Sequence, residues 1–525
     1  MKKQTIQKTI QPTKNNLSLG ETKMTKKNFL PLVWFVLGFG IFMSTRASNI
    51  IPHWNAGIVV APIFILAFGR SLSKRKGNWL TLVGFLLSCN IAMWGLFEMD
   101  TPTASMIYNT VRSSIIALLF SIPYMADRVL YSKLSKTSGW STLSFPIAQT
   151  AVIFLISLEG PFDGDMISAV YSGFGGIVIR QIASLAGIFG FVFIYSWLAS
   201  VINYAWEKEF KWAQIKSAVL AIAFVLVALI LFGTFKTSVL TKSEQDTVKV
   251  AAIFLLPEEG KAFDPNGLFS KEPSDYDATL AKIAALTTES ASNGAKIVAF
   301  QESALKVNEN DESKLIDDLT TIAVENRVYF SIGYGVFPNE GKGWNKAVLI
   351  SDKGELGVDY RKRYLLGMGD LFGETLIYNK GPEIIQSVDS PYGRIGVSIC
   401  RDMSFPAYAR QAGEQQVDMM LNPSYDVPKS GGAMYSLRAV ENGFTMIRPV
   451  YNGYSYAVDS NGKVLASMDS DQTDTGIMYA EVPTQGVNTL YSKVGDLLGW
   501  ICLIGFLGFL PLNIILRRNQ KKGAA

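Results

Sequence analysis

The sequence predicts a multi-span α-helical membrane bundle joined to an extracytoplasmic α/β domain. Composition, the spacing of the apolar runs and the pattern between them lead there. Of the 525 residues, 49% are hydrophobic and 18% charged, and mean hydropathy is +0.21. That balance fits a membrane protein whose polar residues are gathered in one part. Apolar runs fill most of residues 28–235 and recur once near the C-terminus. Between them, short β-rich runs alternate with helical patterns.

Crossing a hydrocarbon core of ~30 Å takes about 20 helical residues. Runs that are long enough, or nearly so, start at Phe29, Ala56, Trp79, Ser113, Thr142, Gln181 and Ala218, and an eighth starts at Leu497. Lys and Arg mark the loops that stay in the cytoplasm. The tail "MKKQTIQK", the loops "RSLSKRKGN", "DRVLYSKLSK" and "EKEFKWAQIK", and the end "RRNQKKGAA" fall on one side. The far-side loops carry few basic residues. The expected organisation is a cytoplasmic tail over 1–27, about seven spans over 28–235, an extracytoplasmic domain over 236–492, a span over 493–516 and a basic tail over 517–525. The first span is read as retained rather than as a cleaved signal, because no small-residue cleavage site follows it.

The net charge of +5 is small for this length. Its basic residues cluster beside apolar runs, so no nucleic-acid footprint is expected. The single histidine, His53, lies beside Trp54 and reads as an interfacial residue. One histidine excludes an internal Ser-His-Asp triad unless His53 reaches the site, and it argues against a zinc hydrolase. No metal or cofactor is expected.

In the polar domain, "VKVAAIFLL" from Val248 reads as a strand, residues 274–294 as an amphipathic helix ending at Gly294, "AKIVAFQES" as a strand and residues 311–326 as a helix. Further strands are read from Val328, Asn345, Arg394, Val417, Thr445 and Ser455. Two hairpins are expected, with a Lys-Gly turn at 353–354 and an Asn-Gly turn at 461–462.

Of three cysteines, Cys89 and Cys502 lie in apolar runs, where free Cys behaves as a small hydrophobe. The domain keeps only Cys400, which rules out a disulfide framework there. Glu302, Lys362 and Cys400 each follow a predicted strand. Singly, each is more often a loop charge, a surface charge or core packing. Together they suffice for acyl transfer: a carboxylate takes the thiol proton, and an ammonium stabilises thiolate and oxyanion.

"FQES", "YRKRYL" and "CRDMSFP" resemble the three signature segments of the nitrilase superfamily, in the same order. The resemblance implies a four-layer αββα sandwich, Glu302 as base, Lys362 as its catalytic lysine and Cys400 as nucleophile. It also implies a supporting acid, best matched by Glu374 and less well by Asp370, and an oxyanion donor in the Arg401 backbone N–H. "RAVENG" and "LNPS" resemble further family segments. A bundle of about seven spans, an external nitrilase domain and a final span is the layout of that superfamily's membrane branch, the apolipoprotein N-acyltransferases. "MISAVYSG" and the "QIAS" run after it resemble that branch locally. The branch implies a bacterial cell membrane, a phospholipid acyl donor and a diacylglyceryl-cysteine lipoprotein acceptor.

The chain also departs from the branch. "CRDMSFP" is closer to soluble amidases, "LLPEEGKAFDPN" lacks a usual Gln-x-Asn, and "RYLLGMGDLFGE" is longer and lacks histidine. The loop Arg363 to Phe372 reads as a mobile lid, with Gly367 and Gly369 as its freedom. Two other functions are carried: a membrane-tethered amidase or carbamoylase, and an inactive lipid- or lipoprotein-binding homologue.

Overall fold

A computed structural model describes residues 26–46, 48, 50–97, 101–134, 139–158, 176–240, 246–255, 271–367, 373–426, 435–470 and 476–522. Asp370, the second half of the expected lid and "MISAVYSG" lie outside these residues.

The apolar runs form helices: α1 (Lys26–Met43), α2 (Gly57–Ser71), α3 (Lys74–Ala92), α4 (Pro102–Leu134), α5 (Ser144–Ser157), α6 (Ala183–Glu207) and α7 (Trp212–Phe235). Segments 102–131, 139–157, 183–207 and 212–238 are long and apolar enough to cross a membrane. Phe29–Met43, Gly57–Ser71 and Leu497–Phe509 are apolar but shorter. Helix α3 starts at Lys74 rather than at Trp79, because Lys74, Arg75 and Lys76 are good helix formers whose charged ends reach water. Helix α7 exposes Leu220, Phe224, Val227, Ile230 and Leu231. A face this apolar needs lipid or a partner to cover it.

The bundle's interior is aromatic. Phe85 meets Phe39 and Phe42 edge-on, each at 5.1 Å between ring centres. Helix α6 is broken, with Ala186 at φ −137° and Gly187 at φ 62°.

The polar domain holds two sheets. The first has the order β15-β1-β2-β4-β5-β6, with β3 beside β4. Its strands are β1 (Thr247–Phe254), β2 (Ile297–Phe300), β3 (Leu305–Asn308), β4 (Tyr329–Phe337), β5 (Trp344–Ile350), β6 (Leu356–Arg361) and β15 (Gly476–Pro483). The second has the order β14-β13-β11-β9-β8-β7: β7 (Gln386–Ser390), β8 (Gly393–Val397), β9 (Met419–Leu421), β11 (Thr445–Arg448), β13 (Tyr454–Val458) and β14 (Val464–Asp469). A short parallel pair, β10 (Ser424–Tyr425) and β12 (Val450–Tyr451), lies apart.

The inner faces pack on each other: Val250, Ala252, Ile297 and Leu349 against Ile395, Val397, Met419 and Ile447. Helices α8 (Tyr276–Ser292) and α9 (Glu312–Asn326) cover the first sheet through Ile283, Leu315 and Leu319. Helices α10 (Pro406–Glu414) and α11 (Ser436–Asn442) cover the second through Tyr408, Ala409 and Ala439. The four layers are those of an αββα sandwich. Both hairpins form, with Gly354 at φ 86° and Gly462 at φ 80° in the turns. Strands β3, β7 and β15 go beyond the sequence reading; β15 closes the edge of the first sheet by pairing antiparallel with β1. The last helix, α12, runs Leu497–Lys522.

Candidate active site

Glu302 sits just past β2, in a turn where Ser303 takes φ 54°. Gly333 on β4 makes room for that turn: a Cβ there would stand 2.7 Å from the Glu302 Cα and 2.9 Å from the Gln301 carbonyl oxygen. Lys362 follows β6 and is fixed by its backbone N–H, which donates to the Asn345 carbonyl at 2.8 Å. Glu374 opens a short helix, Glu374–Ile377, just after Gly373 at φ 85°.

These residues converge although 60 positions separate Glu302 from Lys362. The Lys362 ammonium donates to Glu302 Oε1 at 2.7 Å and to both Glu374 oxygens at 2.8 Å. Asn345 Nδ2 donates to Glu302 Oε1 at 2.7 Å and to Glu374 Oε1 at 2.9 Å. The second oxygen of Glu374 accepts from the Leu366 N–H at 2.7 Å, and that of Glu302 from the Tyr425 N–H at 2.8 Å. Glu302 and Glu374 are wholly buried and Lys362 nearly so. Burial raises the pKa of Glu302, against the pull of Lys362. Burial works against the Lys362 ammonium, but the two carboxylates outweigh it and hold its pKa well above the usual lysine value.

Cys400 stands at the end of the segment leaving β8, with φ 45°, a conformation side chains other than glycine rarely adopt. Its N–H donates to the Pro423 carbonyl at 2.9 Å, and its own carbonyl accepts from Asn422 Nδ2 at 3.3 Å. Asn422 is held in turn by Arg448 Nε at 3.1 Å, and Arg448 makes a buried two-pronged ion pair with Asp426 at 3.0 and 2.6 Å. A local polar network thus supports the unusual turn at the cysteine.

The thiol lies 3.6 Å from the Tyr425 carbonyl oxygen, to which it donates. One residue therefore links two predicted groups: its N–H holds Glu302 and its carbonyl holds the Cys400 thiol. Cys89 and Cys502 are buried, whereas Cys400 is partly accessible. Burial raises the Cys400 pKa, the Glu302 charge adds to this, and Lys362 opposes it.

Asp402 ties the cysteine turn to the lysine segment. It accepts from Tyr360 Oη at 2.6 Å, from the Tyr364 N–H at 2.7 Å and from the Ile399 N–H at 3.1 Å. Burial pushes its pKa up to about 6. The Arg401 side chain donates to the Leu365 carbonyl at 2.6 Å.

Of the described residues expected to act together, Glu302, Lys362 and Glu374 form one hydrogen-bonded cluster and Cys400 is joined to it through Tyr425, whereas His53, Cys89 and Cys502 have no hydrogen bond to it. Asn345, Tyr425 and Asn422 were not anticipated. Asn345 carried no signal, since an Asn opening a strand has no chemistry of its own until two carboxylates are folded against it. "LNPS" marked the Asn422 segment without giving it a role. Among the described residues no cluster of His, Cys, Asp and Glu could hold a metal ion.

Residues 266–491 match the carbon–nitrogen hydrolase family model. The chain is 25% identical to an apolipoprotein N-acyltransferase of Geobacter metallireducens, over 64% of this chain and 67% of that one. It is 24% identical to that of Haemophilus influenzae, over 73% of each chain. This second match is longer than the domain and last helix together, so it enters the bundle. Nitrilase homolog 2 of Dictyostelium discoideum is 28% identical over 39% of this chain and 70% of its own. Among solved structures, an amidase from Nesterenkonia sp. AN1 matches at TM-score 0.37 and 17% identity, over 45% of this chain and 91% of that one. Residues 266–491 are thus a carbon–nitrogen hydrolase domain, and over that domain and part of the helical bundle the chain is similar to the apolipoprotein N-acyltransferases.

Proposed function

We propose that the protein transfers an acyl chain from a membrane phospholipid to the N-terminal amine of a diacylglyceryl-cysteine lipoprotein, with Glu302, Lys362 and Cys400 as its catalytic residues and Glu374 in support. The observation that carries this reading is the convergence of a buried Glu302–Lys362–Glu374 cluster with a strained, accessible cysteine through the single residue Tyr425.

In the first step Glu302 takes the thiol proton and the Cys400 sulfur attacks the ester carbonyl of the phospholipid. A sulfur–carbon bond forms and the ester carbon–oxygen bond breaks. The proton on Glu302 goes to the leaving oxygen, and lysophospholipid departs. In the second step Glu302 takes a proton from the acceptor amine, which attacks the thioester carbonyl. A carbon–nitrogen bond forms, the carbon–sulfur bond breaks, and the proton returns to the thiol. Lys362 and the Arg401 N–H stabilise the oxyanion in both steps. Glu374 keeps Lys362 protonated and in place. No metal or cofactor takes part.

The domain boundaries follow this reading, with the catalytic domain over 236–492 on the extracytoplasmic side of a multi-pass bacterial cell-membrane protein. The acyl donor and the lipidated acceptor are both held in the bilayer, which gives a helical bundle beside the site its use. The amidase-like "CRDMSFP" and the similarity to Nitrilase homolog 2 favour a second reading, hydrolysis of small amides.

The test uses detergent-purified protein and phospholipid labelled in its acyl chain. Label should attach to the protein, be released by neutral hydroxylamine, and be absent from Cys400→Ala. A folded protein whose Cys400 reacts with small thiol reagents but takes no label loses the acyl-transfer reading. Ammonia released from simple amides then supports the second.

A further inference from the structure

A cavity of about 520 Å³ opens in the helical bundle, away from the α/β domain. Its walls come from four helices: Leu30 and Trp34 of α1, Arg70 of α2, Arg128 and Tyr131 of α4, and Trp206 and Glu207 of α6. The α/β domain meets α6 at its other end, where Ile188 donates to Glu441 and Gln181, just before the helix, to the Asn461 carbonyl. From Ile188 to Glu207, at 1.5 Å per residue, is roughly 28 Å, close to a full hydrocarbon core. The cavity therefore lies at the opposite membrane face from the site around Cys400.

Charged groups packed between membrane helices are costly and are kept where they bind something or one another. Arg70 is already satisfied: its guanidinium grips Asp127 at 2.9 and 3.0 Å and lies 3.5 Å over the Tyr131 ring. Two lining charges have capacity to spare. Arg128 gives one N–H to the Leu72 carbonyl, while its Nε is buried and has no hydrogen-bond partner. Glu207 accepts from Tyr131 Oη at 2.7 Å through one oxygen, and its other oxygen stands 4.0 Å from Arg70, beyond hydrogen-bond reach. One cation and one anion, each with hydrogen-bond capacity to spare, match a zwitterion, not a simple anion. Beside them, Trp34 and Trp206 meet edge-on at 5.7 Å, and exposed Leu30 and Trp206 border the bilayer side. Tryptophan favours the headgroup level and its ring face attracts ammonium groups.

We propose that this cavity binds the headgroup of a second phospholipid carrying both phosphate and ammonium, with Arg128 on the phosphate and Glu207 with the paired tryptophans on the ammonium. The inference rests on the bundle lying in a membrane and not on acyl transfer. This lipid is too far from Cys400 to be the donor. It fastens α1, α2, α4 and α6 together from the leaflet opposite the catalytic domain.

The experiment measures the thermal midpoint of the delipidated full chain in detergent with added phosphatidylethanolamine, phosphatidylglycerol, diacylglycerol or inorganic phosphate. Phosphatidylethanolamine should raise the midpoint by about 5 °C, phosphatidylglycerol by less than half of that, and the other two not at all. Arg128→Gln and Glu207→Gln should each remove at least half of the rise. Ser71→Trp, which fills the cavity from its exposed rim, should do the same and serves if either variant does not fold. Equal rises from both phospholipids overturn the zwitterion assignment, a rise with inorganic phosphate overturns the lipid, and an undiminished rise in every folded variant overturns the site. Hydroxylamine-labile label on Cys400, read in the same variants, should persist. Its absence from the unsubstituted protein defeats the acyl-transfer reading and leaves this one standing.

Discussion

The Glu441 carboxylate of the α/β domain accepts a 2.7 Å hydrogen bond from the backbone N–H of Ile188, the first residue after the break in helix α6. The break exposes helix N–H groups that have no partner within the helix, and a carboxylate at that end satisfies one of them and suits the helix dipole. Arg438 pairs with the other Glu441 oxygen inside the domain. Gly187 permits the approach: it takes φ 62°, and a Cβ there would come within 2.5 Å of the Tyr491 ring. Glu441→Ala leaves the Ile188 N–H and the buried Arg438 without this acceptor, at a cost of about 3–5 kcal/mol. The thermal midpoint should fall by several degrees and acyl-enzyme labelling should drop with it. Glu441→Gln, which keeps an acceptor for Ile188, should lose less. Equal losses in the two variants would show that the acceptor at Ile188 is immaterial.

Among the described residues, Lys362 is the cation that the hydrogen bonds place between Glu302 and Glu374. Removing it leaves two buried carboxylates sharing Asn345, a penalty of about 3–5 kcal/mol before any catalytic loss. Lys362→Met should therefore abolish labelling and also lower the thermal midpoint. Adding Glu374→Gln to it should recover part of the midpoint but none of the labelling. A Lys362→Met protein as stable as the unsubstituted one would refute this electrostatic account.

The proposed catalytic groups were legible in the sequence because each follows a strand and each is reactive by type. Their supports were not. Asn422 and Arg448 become partners only when β9 and β11 lie side by side. Glu441 gains its meaning from a helix some 250 positions away. Strand β15 was missed because its eight residues mix polar and apolar positions, and only pairing with β1 gives it a place. The apolar runs located the helices, but not their ends, which helix propensity extends past the apolar stretch in α3 and α4.

Asn345 donates to Glu302 Oε1 and Glu374 Oε1 through one amide nitrogen. A hydrogen bond to a charged group contributes about 1.5–3 kcal/mol, roughly a 10- to 100-fold change in rate where the bond orients the base. Asn345→Ala should slow acyl-enzyme formation by that factor while leaving the protein folded. Asn345→Asp should be worse, since it adds a third carboxylate against the other two. Single-turnover labelling of the two variants measures the order, and a faster Asp variant would contradict it.

Asp402 should leave a pH signature on stability. Burial raises its pKa to about 6, against the Tyr360 hydroxyl, the Lys362 charge and two backbone N–H groups, while an unfolded aspartate titrates near about 3.9. A carboxyl whose folded pKa is raised binds its proton more tightly when folded. Its contribution is thus full below pH ~4 and is lost as pH rises through about 6. A shift of about two units corresponds to roughly 3 kcal/mol at most. Other buried carboxyls titrate in the same window, so the informative quantity is the difference between the protein and Asp402→Asn. Asparagine cannot ionise, so the stability of the unsubstituted protein relative to the variant should decline between pH 4 and pH 7, by several degrees in thermal midpoint. A difference that stays flat across this window would mean that Asp402 is ionised throughout and that Tyr360, Tyr364 and Ile399 offset its burial in full.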